Sequence, residues 1–94
     1  MAEVKITQQG RSGSVQYIED ESQKHFCTFY FEFGGGKTIV IVEIPSEERW
    51  DKFYAWAVGR RMEILTFVAE ELKRKQAPSS KIVWQDTSFS LEEK

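Results

Sequence analysis

Few side chains in this sequence are of types that do chemistry, and their spacing decides what each can do. His25 and Cys27 stand two apart, so on a strand they share a face. A thiol beside an imidazole is the start of a nucleophilic pair or half of a metal site. A structural zinc site takes a full set of Cys and His ligands, and these two are the whole supply in the chain. A nucleophilic pair needs an orienting group and an oxyanion hole, and no residue nominates itself for either. Cys27 therefore reads as a structural cysteine and His25 as a surface or satisfied histidine. No catalytic, cofactor or metal residues are assigned, and the chain does not read as an enzyme.

Gly34-Gly35-Gly36-Lys37-Thr38 places Gly-Lys-Thr in the order of a phosphate-binding loop. The full motif wants a further glycine where Phe31 stands, and a helix after it to supply the dipole and converging N–H groups. A strand-like run follows instead, so this is a hairpin turn. Glu19-Asp20-Glu21 lacks the alternation, the central glycine and the closing glutamate of a calcium loop. With Ser22-Gln23-Lys24 it reads as a solvated loop.

Arg61 is the more informative cation. On a continuous helix it projects between Ala57 and Leu65, inside the apolar stripe. An arginine there snorkels, pairs with an acid such as Glu32 or Glu43 from the sheet, or faces an anionic ligand. A second stripe, Trp56, Arg60, Glu63 and Phe67, flanks the first. Interfaces are enriched in Trp, Phe and Arg, so Trp56, Arg60 and Phe67 are the candidate interface residues.

These side chains need elements to hold them. Val4–Thr7 and Val15–Ile18 alternate apolar and polar residues as short strands, joined by a turn at Gly10–Gly13. Phe26–Phe33 is the clearest strand, with Cys27, Phe29, Phe31 and Phe33 on one face. Thr38–Ile44 returns, rich in β-branched residues and apolar on both sides, as a central strand with both faces partly covered would be. Ser46 is an N-cap, and Glu47 and Glu48 suit a helix start. Lys73-Arg74-Lys75 and Pro78 mark its end. Between them Trp50, Phe53, Tyr54, Ala57, Ile64, Leu65, Val68 and Leu72 keep the spacing of one helical face. Gly59 is a possible bend. Residues 81–91 favour one or two late strands, and 92–94 a frayed tail.

The expected fold is α+β: an antiparallel four-stranded meander over 1–45, covered on one face by a single long helix over 46–76, with a short C-terminal strand or strand pair. All of it lies in one domain, 1–94. A chain of 94 residues with 40% hydrophobic and 14% aromatic content has ample core for that.

Net charge is −2. Residues 1–45 carry four basic and six acidic side chains, and residues 46–75 seven and six. A non-specific nucleic-acid binder usually carries a clear basic excess, which is lacking here. A lone cysteine, the absence of a basic-then-apolar leader at Met1–Lys5, and no long apolar run point to the cytoplasm and away from membranes.

The second stripe and the two-sided apolar character of residues 38–44 together imply a self-associating protein-interaction or assembly module, expected as a homodimer through the Trp56/Arg60/Phe67 flank or the open sheet face, with another protein as an alternative partner. A different class stands second. A four-stranded meander followed by a helix resembles, in topology, the unit of the purine-rich-element-binding and Whirly families of single-strand nucleic-acid binders. That resemblance implies a strand-stacking surface, for which Phe29, Tyr30, Phe31 and Lys37 are the residues available. A late strand after the helix departs from that unit.

Overall fold

The computed structural model describes residues 2–20, 22 and 24–94. Glu21 and Gln23 of the expected solvated loop lie outside the described residues. Six strands form one antiparallel sheet: β1 (Glu3–Gln9), β2 (Ser12–Ile18), β3 (Phe26–Phe33), β4 (Thr38–Glu43), β5 (Lys81–Trp84) and β6 (Ser88–Glu92). Their spatial order is β1-β2-β3-β4-β6-β5. The meander is thus extended by a C-terminal hairpin whose second strand returns to β4. Pairing reaches past β6, where the sequence suggests a frayed tail: the Glu93 N–H donates to the Lys37 carbonyl at 2.8 Å.

Alternation along each strand sends one set of side chains to the helices and the other away from them. The inward set includes Val15 and Tyr17 of β2, Cys27, Phe29 and Phe31 of β3, Val40 and Val42 of β4, and Phe89 and Leu91 of β6, all buried. The β3–β4 turn needs Gly36 at a φ of 61°, a conformation open to glycine and strained for most side chains. β4 is central, as its composition suggests, but its outer face is not covered: Ile41 and Glu43 are exposed. β1 is an edge, and Lys75 reaches from the helical layer to donate to the Val4 carbonyl at 2.9 Å. A lysine there hinders another chain from adding to that edge.

The helical layer is long but interrupted. Helix α1 (Glu47–Phe53) is followed by a 3-10 turn at Ala55–Ala57, and helix α2 (Arg61–Gln76) carries the remaining 16 residues. Ser46 caps α1 as expected, its hydroxyl accepting from the Arg49 N–H at 3.3 Å. α1 ends where Tyr54 leaves helical space, at a φ of −127° and a ψ of 67°. Gly59 adopts a φ of 80°, which separates the 3-10 turn from α2. The Ala57 carbonyl, which a continuous helix would give to the Arg61 N–H, accepts instead from the Arg60 N–H at 3.0 Å and from the buried Trp50 indole at 2.9 Å. The single helix expected over 46–76 is corrected accordingly. Phe53, placed in the apolar stripe on the continuous reading, ends α1 and is 65% exposed. Trp50 stacks on Phe29 at 6.2 Å, and Ile64, Leu65, Val68, Ala69 and Leu72 seat α2 on the sheet.

Candidate functional site

A strand end, one loop, the 3-10 turn and a helix bring the second stripe into a single cluster. Trp56 comes from the 3-10 turn, Arg60 from the N-cap of α2, Glu63 and Phe67 from α2 itself, Tyr17 from the end of β2, and Glu19 and His25 from the β2–β3 loop. Their rings form a ladder. His25 stacks on Trp56 at 5.1 Å, Trp56 on Tyr17 at 6.5 Å, and Tyr17 meets Phe67 edge-on at 5.7 Å. The Arg60 guanidinium lies 6.0 Å from the Trp56 ring, within the range of a cation–π contact.

The same guanidinium is held from two sides. Its Nη atoms pair with the Glu19 carboxylate, one of them at 3.2 Å, and Nη2 also bonds Glu63 Oε2 at 2.6 Å. The Tyr17 hydroxyl donates to Glu19 at 2.7 Å. Accepting from Arg60, and then from Tyr17, pulls the Glu19 carboxyl down to about 2. Burial, reinforced by the bond to Glu19, pushes the Tyr17 phenol up to about 12. Glu19 is therefore not part of a solvated loop. It is the anchor that ties the β2–β3 loop to the helical layer.

Trp56, Arg60 and Phe67 thus lie together as their helical spacing suggests, although Trp56 stands before the break in the helix. Trp56 and Arg60 are half-buried, and Phe67 is 37% exposed. Sequence reading alone does not bring Tyr17 or Glu19 to this cluster, and it weighs His25 only against Cys27. The first two are separated by one residue at a strand end, a spacing that puts both on one face.

Arg61 has a different set of partners from the carboxylates considered for it. Its Nε donates to the Pro45 carbonyl at 3.1 Å and its Nη2 to the Asp86 carbonyl at 2.8 Å. The residue fastens the start of α2 to the β4–α1 junction and to the β5–β6 turn. Glu32 and Glu43 cannot reach it, because they alternate with inward Phe31 and Val42 and so point to the far face.

Cys27 is fully buried, and burial first, then the nearby Glu19 charge, pushes its thiol up to about 12. His25 lies just before β3 on the same helical side of the sheet, where its ring stacks on Trp56. Phe29 and Phe31 are buried under the helices, which leaves Tyr30 as the one of the three aromatics on the outer face. Lys37 sits in the β3–β4 turn.

No helix among the described residues is long and apolar enough to cross a membrane. No protein-family model, curated protein or solved structure matches the chain.

Proposed function

We propose that this protein is a small protein-interaction module that self-associates as a homodimer through the flank bearing Trp56, Arg60 and Phe67. The observation that carries this reading is the ladder itself. Trp, Tyr and Arg dominate the energetics of interfaces, and they act best when already locked in place. Here Trp56 is held between His25 and Tyr17, and Arg60 between Glu19 and Glu63, so both are ordered before any partner arrives. Phe67, at the end of the ladder, offers an exposed apolar ring. Two-fold pairing is the commonest route to an oligomer, and one patch facing its own copy is all it requires. The lone buried thiol suits a reducing compartment, which supports a cytoplasmic setting.

A single-strand nucleic-acid platform is the weaker reading, because two of its three stacking residues, Phe29 and Phe31, are spent in the core. Sedimentation of two variants tests the preferred one. Phe67→Glu places a charge on the flank and should leave a monomer. Phe53→Glu alters an exposed ring outside the ladder and should leave the native mass; the reverse pattern would sink the assignment of the flank.

A further inference from the structure

The face of the sheet turned away from the helices has an uneven charge. Its outward carboxylates are Glu3, Glu32, Glu43 and Glu92, and its outward ammonium groups are Lys5 and Lys81. Lys5 pairs with Glu3 at 3.9 Å, and Lys81 stands opposite Glu92 in the β5–β6 register. Glu32 and Glu43 remain, and among the described residues neither has a cation within 4.0 Å or a side-chain hydrogen bond. Arg49 borders Glu43 at the end of the sheet without pairing to it.

The register puts these two carboxylates on a diagonal. Glu32 stands opposite Ile41, and the pairing of Phe31 with Val42 carries on to set Tyr30 opposite Glu43. The other diagonal is therefore Tyr30 and Ile41, 65% and 41% exposed. On either side the neighbouring strands present only small hydroxyls: Ser12 and Ser14 beside Glu32 and Tyr30, and Ser90 and Ser88 beside Ile41 and Glu43. Small residues beside large ones leave a hollow. A cavity of about 280 Å³ opens there, lined by Ser12, Tyr30, Glu32, Ile41 and Glu43 among others. That is below the usual range for a cofactor or drug-sized ligand and suits a single large side chain.

We infer that the outer face of the sheet is a docking site for an extended, arginine-bearing segment of a partner protein, with a guanidinium seated between Glu32 and Glu43. The charge complementarity names the occupant. A planar guanidinium donates to both carboxylates, stacks its face on Tyr30, and lays its methylene stem along Ile41. A second copy of this chain is a poor occupant of the same face. Placing two such faces together buries four unpaired carboxylates, while the cations each face offers, Lys5 and Lys81, stand on its outermost strands β1 and β5. The site is independent of the ladder, which lies on the helical side of the sheet.

Fluorescence anisotropy with a labelled eight-residue peptide of alternating arginine and serine tests this on the full chain. The peptide should bind at low salt and weaken as salt is added, and its glutamate counterpart should not bind. A Glu32→Gln/Glu43→Gln double variant should lose at least about tenfold in affinity. Glu70→Gln/Glu93→Gln makes the same charge change at exposed, unpaired positions elsewhere and should bind as the native chain does. Amide shifts on the unaltered protein read the site without any substitution, and they should gather on Tyr30, Ile41 and Ser90. No binding, equal weakening by both double variants, shifts gathered on α2, or tighter binding of a single-stranded oligonucleotide than of the peptide would each overturn the inference.

Discussion

Arg60 grips Glu19 across 41 positions of sequence, both of its Nη atoms on the one carboxylate, while its guanidinium spans back to Glu63. This contact joins the end of β2 to the start of α2 and sets the Trp56 ring in its place on the ladder. The pair is partly exposed, so its worth is that of a well-made surface network, about 1–2 kcal/mol.

The network makes stability depend on pH at both ends. The Glu19 carboxyl is lowered from 4.5 to about 2, so its contribution is present above pH 4.5 and drains away as pH falls toward 2. The Tyr17 phenol is raised from 10.0 to about 12, so its contribution is intact below pH 10 and lost as pH climbs toward 12. Denaturant unfolding at stepped pH should show both losses. In Glu19→Gln the acid limb should flatten; an acid limb as steep as that of the native chain would assign the effect to other carboxylates.

Arg61 binds carbonyls at two loop junctions, and its stability effect should follow from that. Arg61→Met removes donors from the Pro45 and Asp86 carbonyls and should cost about 1–3 kcal/mol. A loss of 1 kcal/mol in a domain of this size lowers Tm by about 4–8 °C. Arg61→Lys cannot span both carbonyls and should recover only part of the loss. A melting temperature unchanged in Arg61→Met would remove the structural role and leave an anion-binding role to be explored.

The Cys27 thiol is buried and held protonated, with its ionisation pushed up to about 12. At pH 8 a thiol reagent should label the native protein far more slowly than a free cysteine. The labelling rate should rise in step with unfolding as denaturant is added, which makes Cys27 a built-in probe of opening. Fast labelling without denaturant would contradict its place in the core.

The strands were legible because period-two alternation is a local signal. Cys27, Phe29 and Phe31 could be put on one face from spacing alone, and they share the core. The break in the helix was not legible. Trp50, Ala57 and Ile64 stand seven apart, so the apolar stripe stays in phase across the interruption. The interruption lies in the non-helical backbone of Tyr54 and the positive φ of Gly59, with the Trp50 indole bonded to Ala57 between them, and none of these shows in the periodicity. The Arg60–Glu19 contact was hidden for a related reason. It depends on where β2 ends against α2, which sequence spacing does not encode. The partners of Arg61 were hidden as well: they are the Pro45 and Asp86 carbonyls, and strand parity, once the register is known, turns Glu32 and Glu43 to the other face.

Light scattering after size exclusion, over a hundredfold range of concentration, tests self-association most directly. A homodimer gives a mass of twice 11.0 kDa at the upper concentrations, falling only on dilution. A mass of 11.0 kDa throughout would contradict the homodimer and return the ladder to a purely intramolecular role.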